Sequence, residues 1–307
     1  MKTISIKGFA FTIVLLFLGV SILPNICGSY EITDDFDSKI VELMKKAHMP
    51  SLVACIIKDN VTAWSKGYGY SDYYNKKNTS EDIVYPVASL TKSVTATPIM
   101  QIVENDSYDV NLDDNVSKYL PFDLKNPKYP DVAITFRMLL AHQSSLGDTT
   151  LRFTLIFKIL KIPYNLMTFE KYLSNPKVWK DYKPGEGVCY STEGIDILGL
   201  LIQQVTNQSY SDYCQEHIFK PLKMYNTSFY FSDYNKEQLA CLYSWIAGFY
   251  FKRPFTQTSY VAGMGLKTTL SDFSRFLIMH TSGGVYDGVR VLSKESVDEM
   301  HSVQYLG

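Results

Sequence analysis

Apolar residues near the start of the chain recur first with the period of a helix and then with the pattern of strands. The stretch "DDFDSKIVELMKKAHMP", residues 34–50, carries apolar side chains at helical spacing from Phe36 onward, which predicts a helix with one apolar face. The stretches "SLVACIIKDN" and "TAWSKGYGYSD", residues 51–60 and 62–72, predict two antiparallel strands joined by a turn at residues 58–60. Because the first strand is apolar along most of its length, we expect it to be buried on both faces.

Helical periodicity dominates the rest of the chain. Four further stretches have the spacing of amphipathic helices, at residues 134–146, 193–207, 210–222 and 268–280. The last begins with a capping box formed by Thr269 and Asp272. A strand pair, a helical middle region and a returning helix predict an α/β fold of the α+β type, with helices flanking an antiparallel sheet. We therefore expect one domain over residues 30–307, with an all-helical subdomain inserted at about residues 110–230.

One strongly apolar segment has two interpretations. "LRFTLIFKILKIPYNLMTFEKYL" begins at residue 151 and carries basic residues among its apolar ones. We favour an amphipathic helix packed on the core. The alternative is that residues 151–169 form a lid or a membrane-surface element whose lysines reach toward the polar headgroups.

The N-terminal segment has the layout of a signal peptide. Lys2 and Lys7 precede an uncharged apolar run from residue 9 to residue 23, which is short for a membrane span. We expect residues 1–29 to be removed and the mature chain to be secreted or extracytoplasmic. An uncleaved N-terminal membrane anchor is the alternative.

Composition excludes several classes of function. The 307 residues are 46% hydrophobic and 20% charged with a formal net charge of −1, which is typical of a packed globular protein and gives no basic surface for nucleic acid. Without a C-x-x-C or H-E-x-x-H motif we expect no metal site, and the sequence predicts no cofactor. Four cysteines follow the signal segment, and they are either buried free thiols or disulfide partners in one of three pairings.

The stretch "YPVASLTKSV", residues 85–94, carries the first candidate chemistry. A serine hydroxyl becomes a useful nucleophile only when a base lies within hydrogen-bond reach. If a helix begins near Ser89, then Lys92 lies one turn later on the same face, where burial and the helix N-terminus favour a neutral amine. A second serine–lysine pair, Ser174 and Lys177, has the same spacing, but Pro176 keeps it off a single helix face.

Further blocks of sequence resemble one family of enzymes. "PGEGVCYSTEGIDILGLLI" places Tyr190 and Ser191 directly before a helix, and "AGMGLKTTLSDFSRFL" runs into the helix predicted at residues 268–280. Together with the segment around Ser89, these blocks resemble the class C β-lactamase and penicillin-binding-protein-like serine hydrolases. The resemblance covers residues from about 35 to 301 and includes related esterases and D-amino-acid peptidases.

The resemblance implies acyl transfer on a small-molecule or peptide ester or amide. Ser89 would attack the carbonyl carbon, while Lys92 and Tyr190 would relay the proton, and which of the two acts as base stays open. Thr192 occupies the third place of the family's Y-x-N motif and would contact substrate. Since a hydroxyl replaces a planar amide there, ester cleavage is favoured over β-lactam hydrolysis. His142 lies in a block that is structural in the family.

One part of the family pattern is not found in the sequence. The family has a K-T-G or H-x-G strand after its final helix, and this strand supplies the second N–H group of the oxyanion hole. The "KTT" at residues 267–269 lacks the glycine and leads into a capped helix. We therefore expect the C-terminal sheet strands to be missing. The chain would then be a fragment, a catalytically deficient relative that binds peptides, envelope material or lipids, or a short protein that completes its sheet with a strand from another chain. Membrane contact would involve the N-terminal segment or residues 151–169.

Overall fold

A computed structural model of the chain describes three stretches, residues 34–147, 166–257 and 261–305. The predicted signal peptide at residues 1–29 lies outside these residues. Residues 151–165, most of the segment predicted as a packed helix or lid, also lie outside them.

The N-terminal part folds as a helix followed by a small antiparallel sheet. Its elements are α1 (Asp34–Lys46), β1 (Ser51–Lys58), β2 (Val61–Asp72) and β3 (Lys77–Asn78), and the strand order is β1-β2-β3. Asp59 and Asn60 make the β1–β2 turn with positive φ angles of 53° and 62°. Helix α1 packs on β2, where the Phe36 and Trp64 rings meet edge to face at 5.4 Å. The prediction that β1 is buried on both faces is wrong, because one of its faces meets solvent and leaves Ile56 44% exposed.

A short strand pair joins two distant parts of the chain. Strand β4 (Tyr85–Pro86) leads into a 3₁₀ turn at Ala88–Leu90 and then into helix α2 (Thr91–Val103). Strand β4 pairs antiparallel with a strand that lies much later in the chain, at Lys267–Thr268. Helix α2 is central to the core, where Val94 and Ile99 are fully buried.

Helices dominate residues 110–230. The structure describes α3 (Phe136–Leu140), α4 (Leu166–Leu173), α5 (Thr192–Thr206) and α6 (Tyr210–Cys214), the last continued by a π-helical turn at Gln215–Phe219. Helix α3 is much shorter than the predicted stretch at 134–146. The Thr135 side chain caps its start, and the chain leaves helical geometry at His142 and Ser145, whose φ angles are 58° and 60°. The subdomain boundary itself stays a prediction.

The C-terminal part adds two hairpins and two helices. These elements are β5 (Leu242–Ile246), β6 (Phe249–Arg253), β7 (Lys267–Thr268), α7 (Leu270–Thr281), β8 (Val285–Tyr286), β9 (Val289–Arg290) and α8 (Lys294–Met300). The Thr269 hydroxyl caps α7 by accepting a hydrogen bond from the Asp272 N–H at 3.0 Å, which is one half of the predicted capping box. The other half does not form, because the Asp272 carboxylate accepts from the Asn226 N–H and the Thr227 hydroxyl instead. The architecture is a mixed α/β fold with small antiparallel sheets, which confirms the predicted fold class.

All four cysteines after the signal segment, Cys55, Cys189, Cys214 and Cys241, are free thiols. Within the three described stretches, none of the helices combines the length and hydropathy needed to span a bilayer.

Candidate active site

Ser89 is exposed in the 3₁₀ turn that runs into helix α2. The preceding residue, Ala88, has a φ angle of 46°, a conformation that costs a residue other than glycine about 1 kcal/mol or more. Two contacts hold this turn. The Thr91 hydroxyl donates to the Ala88 carbonyl at 2.5 Å, and it accepts from the Leu266 N–H at 3.0 Å. The serine is therefore presented at the head of a helix on a backbone fixed from a distant part of the chain.

Lys92 lies one turn into the same helical segment and is half-buried. Its Nζ donates to three oxygen atoms: Ser89 Oγ at 3.4 Å, Thr192 Oγ1 at 3.3 Å and the Gly263 carbonyl at 2.7 Å. These acceptors use all three N–H bonds of an ammonium group. The amine is thus held in one place, with the serine hydroxyl as one of its neighbours.

Tyr190 completes the group from the helical middle region. Its hydroxyl donates to Ser89 Oγ at 2.7 Å, and its ring lies 4.9 Å from Lys92 Nζ. The tyrosine side chain is 45% exposed, so its phenol faces open space above the serine. Ser89, Lys92 and Tyr190, predicted together from the sequence, meet at one point of the structure.

Thr192 also reaches this point. Ser191 caps helix α5 by accepting a hydrogen bond from the Gly194 N–H at 3.1 Å, which places Thr192 in the first turn. Its hydroxyl accepts from Lys92 at 3.3 Å, which places it beside the candidate base. A direct role of Thr192 in substrate binding stays a prediction.

The second serine–lysine pair does not form a comparable site. Asn175 has an extended backbone with a ψ angle of 117°, and Pro176 begins a separate 3₁₀ turn. The Ser174 hydroxyl donates to the Lys171 carbonyl at the end of α4. The proline therefore separates Ser174 from Lys177, as the sequence predicts.

His142 has a closer relation to the site than the sequence suggests. Its ring lies 4.6 Å from the Tyr190 ring, and its Nδ1 accepts from the Ser191 N–H at 3.2 Å. Its carbonyl accepts from the Cys189 N–H at 2.8 Å. The imidazole thus supports the loop that carries the candidate catalytic tyrosine, and its place beside that loop was not predicted.

Sequence reasoning also missed Gly263. The glycine lies in "AGMG" and packs so closely that a Cβ there would stand 2.5 Å from Thr192 Cγ2 and 3.0 Å from the Thr192 carbonyl oxygen. Its N–H donates to the Asp196 carboxylate at 2.8 Å. The "AGMG" letters contain no acid, base or nucleophile, so their composition gives no sign that a backbone carbonyl here contacts the candidate base.

Lys267, in the "KTT" stretch, has a structural position. It is 2% exposed, and its Nζ donates to the Phe229 carbonyl at 2.6 Å and the Gly265 carbonyl at 2.8 Å. Burial lowers the pKa of this amine to about 8. The amine also donates to Gln257 Oε1 at 3.1 Å, so its contacts are with these three oxygens and not with Ser89.

The arrangement supports proton transfer from a serine. Ser89 Oγ accepts hydrogen bonds from Tyr190 and Lys92, and either group can take the serine proton once it has lost its own. Its exposed position leaves room for an approaching carbonyl group.

Curated proteins with similar sequences place the chain among known proteins. Protein flp of Staphylococcus aureus (strain MW2) is 33% identical over 211 residues, which are 67% of this chain and 40% of flp. Beta-lactamase-like protein 2 of Dictyostelium discoideum is 28% identical over 260 residues, covering 83% of this chain and 46% of that protein. The chain therefore spans less than half the length of these curated relatives.

A solved structure and a family model show the family of the chain. The octameric penicillin-binding protein homologue from Pyrococcus abyssi superposes with a TM-score of 0.75 and 26% identity, covering 87% of this chain and 59% of that one. The Beta-lactamase family model matches residues 36–306. The chain belongs to the β-lactamase family.

Proposed function

We propose that this protein is an exported serine hydrolase that forms an acyl-enzyme on Ser89 with an ester or amide substrate. The observation that carries the proposal is the meeting at Ser89 Oγ of the Tyr190 hydroxyl at 2.7 Å and Lys92 Nζ at 3.4 Å. A hydroxyl between a phenol and an amine has the neighbours that a serine nucleophile needs. Export rests on the signal-like residues 1–29.

The reaction would take place in two half-steps. In the first, Ser89 Oγ bonds to the substrate carbonyl carbon while its proton passes to Lys92 or Tyr190. Collapse of the tetrahedral intermediate breaks the bond to the leaving group, and the same proton goes to the departing alcohol or amine. In the second, water attacks the acyl-enzyme and gives a proton back through the same pair, which releases a carboxylic acid and restores Ser89.

Thr192 supports a preference for esters. The family often has an asparagine at this place, whose amide can both donate to and accept from a substrate amide. The single hydroxyl of Thr192 is already in contact with Lys92 at 3.3 Å. An ester has no N–H group for such an amide to accept. We therefore expect esters to lose less binding from the replacement of asparagine by Thr192 than amides do.

The test is labelling by a fluorophosphonate probe, read by intact mass. We expect the wild-type chain to gain one probe and Ser89→Ala to gain none. Ser93→Ala is the matched control, because Ser93 is an exposed serine of the same helix whose hydroxyl donates to the Leu90 carbonyl at 2.7 Å. Labelling that persists in Ser89→Ala would contradict the proposal. A folded wild-type chain that takes no label would instead support a binding role without catalysis.

A further inference from the structure

The strongest contact of the candidate base is with a backbone carbonyl. Of the three oxygens around Lys92 Nζ, the Gly263 carbonyl is the closest at 2.7 Å, whereas Thr192 Oγ1 and Ser89 Oγ lie at 3.3 Å and 3.4 Å. The position of the Gly263 carbonyl therefore has the largest influence on where the amine points.

This influence bears on reactivity. A neutral amine has two N–H bonds and one lone pair, which must face Ser89 Oγ to receive the serine proton. When the Gly263 carbonyl and Thr192 Oγ1 accept the two N–H bonds, the lone pair is left in the third direction, toward the serine. A shift of the Gly263 carbonyl would turn the lone pair away from the hydroxyl.

The peptide group that precedes the Gly263 carbonyl is held from two sides. Its carbonyl oxygen, on Ala262, accepts from the Thr95 hydroxyl of α2 at 2.7 Å. Its N–H, on Gly263, donates to Asp196 Oδ1 of α5 at 2.8 Å. Ala262 and Asp196 are 3% and 8% exposed, so water does not readily replace these contacts.

We propose that Asp196 is a positioning residue for catalysis: by holding the Gly263 N–H, it fixes the carbonyl that orients Lys92 toward Ser89. The inference rests on the proposed function, since it assigns Asp196 a part in the same reaction. Asp196 does not touch the reacting atoms, and its effect passes through the backbone of residue 263. The required property is an acceptor oxygen in the right place, so an amide oxygen would serve in place of the carboxylate.

Two variants of Asp196 distinguish the effect of a correctly placed acceptor oxygen from the effect of its negative charge. Asp196→Ala removes the acceptor, and we expect the rate of fluorophosphonate labelling to fall about 100-fold, the size of effect that a misplaced catalytic group produces. Asp196→Asn keeps an oxygen at the same place, and we expect labelling within about threefold of wild type. Thr95→Val releases the same peptide group from its other side and carries the test if Asp196→Ala does not fold.

The matched control is Asp272→Ala. Asp272 is also a buried carboxylate that accepts a backbone N–H, that of Asn226 at 2.6 Å, but it lies in α7 away from the Lys92 contacts. We expect this variant to melt at a lower temperature than wild type while its folded form labels at the wild-type rate. Equal loss of labelling in Asp196→Ala and Asp272→Ala would overturn the inference, because general loosening would then explain both. A labelling rate of Asp196→Asn as low as that of Asp196→Ala would also overturn the inference.

A second measurement does not need reactivity. Amide hydrogen exchange of the peptide covering residues 261–266 reports the hold on the Gly263 N–H directly. We expect faster exchange there in Asp196→Ala and wild-type exchange in Asp196→Asn, and unchanged exchange in Asp196→Ala would overturn the inference. If the wild-type chain takes no label, the proposed function fails and this measurement still decides whether Asp196 holds the segment. If wild type labels and Asp196→Ala labels equally fast, only the inference about Asp196 fails.

Discussion

The Tyr190 hydroxyl donates a hydrogen bond of 2.7 Å to Ser89 Oγ, although the two residues lie 101 positions apart in the chain. Ser89 belongs to the turn that begins α2, and Tyr190 belongs to the loop before α5. The loop is supported by His142, whose backbone carbonyl and Nδ1 accept from the N–H groups on either side of Tyr190. The phenol is thus placed by loop geometry, which makes its contribution testable without disturbing the core.

Removal of this phenol should slow the reaction and leave the fold intact. In Tyr190→Phe we expect Ser89 labelling to slow by about 100-fold or more, the range that a positioned acid–base group contributes. Because the side chain is 45% exposed, we expect the melting temperature to change little. Tyr305→Phe is the control, since Tyr305 is 37% exposed and donates to the Glu186 carbonyl of the same loop. A Tyr190→Phe chain that labels as fast as Tyr305→Phe would exclude the tyrosine from proton transfer.

Thr192 should have a smaller effect. Thr192→Val keeps the shape of the side chain but removes the oxygen that accepts from Lys92 at 3.3 Å. A net hydrogen-bond contribution of about 1 kcal/mol corresponds to a roughly fivefold slower labelling rate. Thr206→Val, at the other end of α5, removes a hydroxyl that donates to the Ile202 carbonyl and should leave the rate unchanged. A loss as large as in Tyr190→Phe would show that Thr192 does more than orient the amine.

How much of this site the sequence predicts depends on how far apart in the chain the two residues of each contact lie. Ser89 and Lys92 are three positions apart, so helical spacing alone brings them together. Tyr190 and Thr192 are predicted only through the resemblance to a family, because a loop tyrosine has no periodic signal. Gly263 meets Lys92 across 171 positions through a backbone carbonyl, and no side-chain pattern encodes such a contact.

The fold shows the same limit. Strong periodicity predicted α5 almost to the residue, because its apolar stripe is buried and its ends are capped by Ser191 and Asn207. The stretch at 134–146 also has helical spacing, but His142 and Ser145 adopt positive φ angles there. In this conformation the His142 carbonyl and Nδ1 accept from the N–H groups on either side of Tyr190. Tertiary contacts outweighed local preference there.

The buried Lys267 predicts that the free energy of unfolding changes with pH in the alkaline range. Its pKa is about 8 in the folded chain against about 10.5 when unfolded, so the unfolded state binds more protons between these values and stability rises with pH. Relative to Lys267→Met, we expect the wild-type free energy of unfolding to gain up to about 3 kcal/mol across this window. Urea titrations at pH 7 to 10 measure the difference. The exposed substitution Lys177→Met controls for loss of a charge, and parallel wild-type and Lys267→Met curves would contradict the prediction.

His280 predicts that the free energy of unfolding changes with pH in the acidic range. Among the described residues neither of its ring nitrogens has a hydrogen-bond partner, and its ring packs edge-on against Phe276 at 4.7 Å. Burial, with a smaller effect from His301, lowers the pKa of His280 to about 4 from 6.5. The unfolded state therefore binds more protons between pH 4 and 6.5, and the folded chain loses stability as the pH falls through that range.

The matching variant is His280→Phe, which keeps an aromatic ring in the site and cannot take up a proton. We expect its free energy of unfolding to fall less than that of wild type between pH 6.5 and 4, by about 3 kcal/mol. His301→Gln removes only the smaller cause and should recover a minor part of this difference. Carboxylates titrate in the same range in all three proteins. The differences between their urea midpoints therefore report the contribution of the His280 imidazole alone. Identical acid profiles for wild type and His280→Phe would mean that His280 titrates alike in the folded and unfolded chains.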